Sequence, residues 1–215
     1  MKKLSLRVSG SLLLLSMCLT ACAPIMLAGF AGTAMVASDR RTSGTQLEDE
    51  TIELRGSARV RDNFGEKVNV TVTSYNRQVL LTGEVPTERD KQSVAGLVEK
   101  VENVKTVVNE LAVMQPTTLS SRSNDLVITG KIKASLVDSR DLFANAFKVV
   151  TERNTVYVMG RVTQREANSA TNVIRNVGGV NKVVRLFEII SEDELSNMLP
   201  PPPSAEKPAA DKAKK

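Results

Sequence analysis

The sequence contains no histidine and no tryptophan, and aromatic residues make up only 3% of its 215 residues. Without histidine, neither a Ser-His-Asp nor a Cys-His arrangement can form, and the usual histidine general base is excluded. With two cysteines and no histidine, the chain also lacks the usual ligands of a zinc site. The scarcity of aromatics argues against nucleic-acid binding by base stacking. The composition therefore favours a binding or structural protein over an enzyme.

Signatures of phosphate and nucleotide binding are also missing. No P-loop and no dinucleotide-binding fingerprint occurs, and Gly178 and Gly179 predict a turn. The acidic runs at residues 48–50 and 192–194 lie in polar stretches, and we expect them to be solvated. The sequence therefore predicts neither a catalytic carboxylate pair nor a cofactor.

The first 21 residues have a basic start, an apolar centre and small residues at the end, as in a secretory signal peptide. The run Leu-Thr-Ala-Cys that ends at Cys22 resembles a lipobox, which predicts that Cys22 is the acylated first residue of the mature chain. Ala23 in place of an aspartate implies sorting to the outer membrane. Several acyl chains on one residue would anchor the protein firmly. The alternative is an ordinary signal peptide followed by a chance cysteine.

Two further segments are predicted to lie outside a folded core. Residues 22–46 are expected to form a lipidated tether and polar linker. Residues 200–215 begin with four prolines and continue with alanine and lysine, which favours an extended, disordered tail. A weak electrostatic contact of this tail with an anionic surface is the alternative. Since Cys18 leaves with the signal peptide and Cys22 is modified, we predict no disulfide within one chain.

Between these segments the sequence contains a repeat. Gly83 corresponds to Gly160 at an offset of 77 residues. A run of valines matches at an offset of 76: Val101, Val104, Val107 and Val108 in the first copy, and Val177, Val180, Val183 and Val184 in the second. A repeat of this size indicates two similar structural units.

The sequence pattern of each copy predicts the order helix, strand, strand, helix, strand (α-β-β-α-β). The first helices are predicted at residues 51–61 and 125–137, and the last strands at residues 104–113 and 180–190. Thr87 with Asp90, and Thr163 with Glu166, have the spacing of a helix N-cap and its following acid. The sequence thus predicts an α+β protein of two tandem domains, residues 47–115 and 121–191, each with two helices on a small mixed sheet.

The strand-ending glycine, the amphipathic helix and the Val-x-x-Val-x-x-Val-Val segment resemble the BON domain, and the resemblance covers both repeats. With its leader, the whole sequence resembles a dual-BON outer-membrane lipoprotein. The resemblance implies a non-enzymatic protein that faces the periplasm, supports outer-membrane integrity and is enriched at division sites.

The two repeats differ in charge. Residues 47–115 carry nine basic and twelve acidic residues, whereas residues 121–191 carry eleven basic and six acidic residues. A basic domain tethered to a membrane favours an anionic partner.

The first helix of the second repeat is the candidate binding element. Ser123, Asn124 or Asp125 is expected to cap it, and Ile128, Ile132 and Leu136 form a stripe that should pack on the sheet. The other side combines apolar and basic residues, a combination that suits an anionic membrane interface. The predicted phospholipid-binding residues are Leu126, Val127, Gly130, Lys131, Lys133, Ala134, Val137 and Arg140.

The resemblance implies phospholipid binding by this same helix, although a member of the family has a tryptophan where this chain has Val127. Tryptophan anchors well at an interface and valine anchors weakly. Three alternatives remain open at this point. The apolar residues are buried against the first repeat; the protein is a scaffold that docks on an envelope partner such as the outer-membrane protein assembly machinery; or the C-terminal tail attaches to a glycan.

Overall fold

The protein is represented by a computed structural model that describes residues 39–198. The predicted signal peptide, Cys22, the tether up to residue 38 and the proline-rich tail lie outside the described residues.

The first repeat folds into helices and strands in the predicted order. They are α1 (Ser43–Phe64), β1 (Asn69–Tyr75), β2 (Gln78–Val85), α2 (Glu88–Glu99), β3 (Thr106–Asn109) and β4 (Ala112–Val113). Strand β1 pairs antiparallel with β2, whereas β3 and β4 both pair parallel with β2. The sheet is therefore mixed, as predicted.

The second repeat has the same arrangement and ends in one extra helix. Its elements are α3 (Leu119–Asp138), β5 (Lys148–Glu152), β6 (Thr155–Thr163), α4 (Gln164–Arg175), β7 (Lys182–Ile190) and α5 (Glu192–Met198). Strand β6 pairs antiparallel with β5 and parallel with β7. The predicted α+β class with two domains is confirmed.

Both first helices begin earlier than the sequence predicted. Helix α1 starts at Ser43, so residues 43–46 are helical and their assignment to a linker was wrong. Helix α3 is capped by Thr118, whose side chain accepts a hydrogen bond from the backbone N–H of Ser121, and not by residues 123–125. The additional turns are mostly polar and exposed, so they carry no apolar periodicity that would have marked them as helix.

The cap predictions for the two later helices are confirmed. The side chain of Thr87 accepts a hydrogen bond from the N–H of Asp90. Thr163 and Glu166 form a full capping box at the start of α4, in which each side chain bonds to the backbone of the other.

The last strand of the first repeat is shorter than predicted. Residues 104–113 form two pieces, β3 and β4, that are interrupted at Glu110 and Leu111. The Leu111 side chain is 2% exposed and belongs to the core of the first repeat. Because the chain leaves the strand to bury this side chain, the alternation that predicts a continuous strand fails here.

The two corresponding glycines are close-packing points inside their strands. A Cβ atom on Gly83, whose φ is +112°, would lie 2.0 Å from the carbonyl oxygen of Asn69. A Cβ atom on Gly160 would lie 2.5 Å from the carbonyl oxygen of Ala146. Strands β2 and β6 continue beyond these positions. The glycines therefore permit close backbone approach but do not end the strands.

Each repeat has its own helix-on-sheet core, and a third apolar cluster joins the repeats. Val79 and Leu81 on β2 belong to the first core, and Val156 and Val158 on β6 belong to the second. Leu80, Tyr157 and Met159 alternate with these valines and leucine along β2 and β6, and together with Tyr75 of β1 they form the third cluster. Since successive residues of a strand point to opposite faces, each sheet packs on its helices with one face and on the other sheet with the opposite face. The two repeats accordingly belong to one compact unit.

Candidate functional site

Helix α3 exposes several apolar side chains along one side. We call this surface the outer face of α3; it consists of Leu119, Leu126, Val127, Gly130, Lys131, Lys133, Ala134 and Val137. The relative exposures of Leu119, Leu126, Val127 and Val137 are 80%, 73%, 55% and 70%. At about 100° per residue, Leu119 and Val137 lie on the same line, about five turns and roughly 27 Å apart. These apolar side chains are thus not buried against the first repeat, which was one of the alternatives.

The opposite side of α3 fixes which face points outward. Ile128, Ile132 and Leu136 are at most 2% exposed and belong to the core of the second repeat. Near the start of the helix, the Asp125 carboxylate accepts hydrogen bonds from the backbone N–H groups of Arg153 and Asn154 at 2.8 and 2.9 Å. Apolar packing and this polar attachment together hold the helix in one rotation on the sheet.

Basic side chains border the outer face of α3. Lys131 and Lys133 are exposed on opposite sides of the apolar line, and Arg140 is exposed just beyond the helix. None of these three side chains forms an ion pair with another described residue. The exposed acids nearby are Asp138 and Asp141, both at the C-terminal end. The lysines therefore remain available to an anionic ligand.

The middle of the outer face is flat. Gly130 and Ala134 are exposed and have little or no side chain, and a Cβ atom on Gly130 would meet no atom within 4 Å. A flat apolar strip with basic borders matches a planar surface better than it matches a small ligand.

The equivalent helix of the first repeat differs in charge. Leu47 and Leu54 on α1 are 66% and 74% exposed, but Glu50 is exposed on the same helix. Glu48 and Glu53 form ion pairs with Arg77 and Lys148. With acids among its apolar residues, α1 is less suited to an anionic surface than α3.

In each repeat one aspartate holds the turn between two strands, a role that was not predicted from the sequence. Asp49 was expected to be solvated, but it is 1% exposed. Its carboxylate accepts hydrogen bonds from Ser74 Oγ and from the N–H groups of Asn76 and Arg77 at 2.6 to 2.8 Å. Burial alone would raise the pKa of Asp49, but the bonds from Ser74, Arg77, Arg41 and Asn76 lower it.

Asp125 performs the same role in the second repeat, 76 residues later. The turn residues held by the two aspartates, Asn76 with Arg77 and Arg153 with Asn154, all have positive φ angles between 49° and 67°. Such turns connect antiparallel strands tightly. The signal that could have revealed them is the repeat itself, since Asp49 and Asp125 occupy matching positions.

A buried ion pair joins the segment before α1 to the second repeat. Arg40 donates to both carboxylate oxygens of Glu166 and to the carbonyl oxygen of Arg161. Burial alone would raise the pKa of Glu166, but the hydrogen bonds from Arg40 and from the Thr163 N–H lower it. The predicted polar linker therefore contains a specific structural contact.

A cluster of charged groups lies where the two repeats meet. Arg153 of the second repeat donates to the buried Glu84 of the first at 3.0 Å and lies 3.5 Å from Glu152. Asn69 donates to the other oxygen of Glu84 at 2.7 Å. Burial, and then the negative charge of Glu84, raise the pKa of Glu152.

Other polar contacts border the apolar cluster between the sheets. Lys148 donates to Glu53 and to the carbonyl oxygen of Ser74. The Tyr157 hydroxyl hydrogen-bonds to Glu110 at 3.2 Å, and burial together with this carboxylate raises the pKa of Tyr157 to about 12. The junction therefore has an apolar centre and a polar rim.

Residues 39–198 contain no group of three or more acidic, cysteine or histidine side chains placed to hold a metal ion. Over the same residues, none of the helices combines the length and hydropathy needed to cross a bilayer.

The duplicated α-β-β-α-β fold defines the class of this protein. The family model of the BON domain matches residues 49–115 and 124–191, more than half of the chain. The chain belongs to the BON domain family and contains two copies of the domain.

Two similar proteins are bacterial. It is 34% identical to "Outer membrane lipoprotein DolP" of Haemophilus influenzae over 192 residues, which cover 88% of this chain and 97% of the relative. It is 32% identical to the "21 kDa hemolysin" of Actinobacillus pleuropneumoniae over 154 residues, which cover 71% of this chain and 79% of that protein.

Among solved structures, it is similar to CdsD, a structural protein of the type III secretion system of Chlamydia trachomatis. The identity is 17%, the match covers 71% of this chain and 96% of that chain, and the TM-score is 0.28. A score this low does not indicate a shared overall arrangement.

Proposed function

We propose that this protein is a non-enzymatic outer-membrane lipoprotein, anchored through Cys22 on the periplasmic side, whose second BON domain binds anionic phospholipid. The binding element is the outer face of α3 together with Arg140. The role is to support outer-membrane integrity, with enrichment at division sites where anionic lipid accumulates.

The observation that carries the proposal is the combination of exposed aliphatic side chains with unpaired lysines on one rigid helix face. Leu126, Val127 and Val137 are more than half exposed, although such side chains gain about 1.5–3 kcal/mol when fully buried. Lys131 and Lys133 stand beside them without ion-pair partners among the described residues. A bilayer interface satisfies both groups, since aliphatic side chains enter the acyl boundary and ammonium groups meet anionic headgroups.

The energetics favour weak, reversible binding. Each basic residue near an anionic surface contributes roughly 1 kcal/mol, and the aliphatic side chains would be only partly buried at the headgroup level. A lipid anchor at Cys22 would keep the domain close to the membrane, so that even a weak surface contact would be occupied much of the time. Similarity to an outer membrane lipoprotein over almost the whole chain supports this location.

The test is co-sedimentation with lipid vesicles of the chain from residue 22 onward carrying Cys22→Ser, which removes the acyl anchor and keeps every described residue. Vesicles of phosphatidylcholine alone are compared with vesicles containing roughly one third phosphatidylglycerol. Binding is expected only with phosphatidylglycerol, and it should weaken as salt is raised from about 0.1 to 0.5 M.

Charge reversal on the helix locates the site. Lys131→Glu with Lys133→Glu should abolish the binding. Lys100→Glu with Lys105→Glu, the same change at exposed lysines of the first repeat, should leave most of it intact. If the unchanged chain binds neither kind of vesicle, the proposal fails, and the outer face of α3 is then tested as a docking surface for the outer-membrane protein assembly machinery.

A further inference from the structure

One aromatic side chain stands out by its exposure. Phe143 is 48% exposed, and the other aromatic side chains among residues 39–198 are buried or partly buried. Tyr75, Tyr157 and Phe147 are at most 7% exposed. A single half-exposed apolar side chain is common on a protein surface, so what matters at Phe143 is its position next to the end of α3.

The loop that carries Phe143 is ordered by its own contacts. The N–H of Leu142 donates to the carbonyl oxygen of Ser139, and the N–H of Ala146 donates to the carbonyl oxygen of Phe143 at 2.9 Å. Leu142, Ala146 and Phe147 are all buried in the core of the second repeat. Phe143 is therefore exposed because its neighbours occupy the inward positions, and not because the loop is detached from the core.

This loop follows directly after α3 in the chain. The helix ends at Asp138, so Phe143 follows five residues after its C-terminus, beyond the exposed Val137. Arg140 is exposed between the helix and Phe143. Phe143 thus follows an exposed arginine, which lies between the exposed Asp138 and Asp141.

We propose that Phe143 is a membrane anchor of the second BON domain, which inserts below the headgroups of an anionic phospholipid bilayer while Arg140 contacts those headgroups. This inference rests on the proposed function and extends the binding surface from α3 into the loop at residues 139–147. Over the outer face of α3 and this loop, the basic Lys131, Lys133 and Arg140 outnumber the exposed Asp138 and Asp141. An anionic bilayer is therefore the occupant that matches this surface in charge.

The absence of tryptophan from the chain allows a direct test. Three single-tryptophan variants are made in the chain from residue 22 that carries Cys22→Ser: Phe143→Trp, Val127→Trp and Leu54→Trp. The last lies on α1 and serves as a control, since Leu54 is 74% exposed in the first repeat. Each is mixed with vesicles containing phosphatidylglycerol, and emission wavelength and quenching by brominated acyl chains are recorded.

The expected result is a blue shift and strong quenching for Phe143→Trp and Val127→Trp, and neither for Leu54→Trp. A response at position 127 without one at position 143 would overturn the anchor and leave the proposed function intact. If neither position responds, the proposed function fails as well.

A second measurement avoids adding an aromatic group. Phe143→Ala should lower the vesicle partition coefficient about tenfold, because most of the apolar contact of the loop is lost. The thermal midpoint should stay close to that of the unchanged chain, since the side chain is half exposed and belongs to none of the apolar clusters. An unchanged partition coefficient in Phe143→Ala would contradict the proposal.

Discussion

Arg40 and Glu166 are separated by 126 residues in the sequence and joined by two hydrogen bonds of 2.7 and 2.6 Å. Their side chains are 3% and 1% exposed. Glu166 is also the acid of the capping box at the start of α4. The segment that precedes α1 in the first BON domain is therefore held against the second BON domain by this ion pair.

Removing one partner of this pair should lower the free energy of unfolding substantially. Arg40→Ala leaves the Glu166 carboxylate buried without its guanidinium, and such losses typically cost about 3–5 kcal/mol. Urea unfolding of the anchor-free chain should show this decrease. Arg55→Ala provides the control, because the Arg55–Glu102 pair has side chains that are 52% and 72% exposed and should contribute at most about 1 kcal/mol. If the two substitutions lowered the free energy of unfolding equally, the buried pair would contribute no more to stability than the exposed pair.

The close-packed glycines should not tolerate a methyl group. Gly83→Ala and Gly160→Ala place a Cβ atom 2.0 and 2.5 Å from backbone oxygen atoms, so each should destabilise the protein by more than about 1 kcal/mol. Gly96→Ala is the matched control: no atom lies within 4 Å of its Cβ, and in the interior of α2 the change should be neutral or stabilising by up to about 1 kcal/mol. Thermal unfolding of the three variants distinguishes the positions, and a loss at residue 96 equal to the other two would refute the packing explanation.

Asp49 should contribute to stability only while it is ionised. Asp49→Asn keeps the shape of the side chain but loses the negative charge that accepts bonds from the β1–β2 turn and from Arg41. We expect a loss of about 1–3 kcal/mol at neutral pH. Because the folded pKa of Asp49 is lowered, its contribution is present above the unfolded pKa of about 3.9 and is lost as the pH falls through the folded value. The difference between wild type and variant should therefore shrink in strong acid, and a pH-independent difference would contradict this origin.

Glu152 should have the opposite pH dependence. Its folded pKa is raised by burial and by the nearby Glu84, against the attraction of Arg153. A raised carboxyl pKa means that the folded state binds more protons, so its contribution to stability is present below the unfolded pKa and is lost as the pH rises through the folded pKa. Glu152→Gln, which is neutral at every pH, should be more stable than wild type at about pH 7.5, and the gain should disappear below about pH 4. Exposed Glu99→Gln is the control, and unfolding by urea at both pH values is the measurement. A gain at both pH values would exclude titration of Glu152 as its cause.

Local patterns were sufficient to predict much of the fold. The two caps at Thr87 and Thr163 and the core stripe of α3 depend on residues within a few positions of one another. The repeat was found because the same short pattern occurs twice, 76 to 77 residues apart. The early starts of α1 and α3 were missed because capping by Thr42 and Thr118 precedes turns without apolar periodicity. Pattern alone could not extend a helix into such polar turns.

Long-range contacts were beyond the reach of those patterns. Arg40 resembles any arginine of a polar linker until α4 brings Glu166 next to it. Asp49 lies in an acidic run that normally indicates solvated surface, yet it is buried by the turn of a hairpin more than twenty residues away. For the candidate site, the sequence predicted a helix face of mixed character, but the exposure of Phe143 depends on three neighbours that occupy the core.

The apolar cluster between the sheets has a consequence for genetics. Leu80 and Met159 are both 0% exposed, and each belongs to a cluster with residues of the opposite repeat. A truncation that deletes one BON domain would expose the apolar sheet face of the other domain to solvent. The phenotype of such a deletion would then reflect aggregation or proteolysis of the remnant as much as a lost activity. Substitutions on the solvent side of α3, which leave both sheets covered, are therefore the appropriate alleles for assigning a role to the second BON domain.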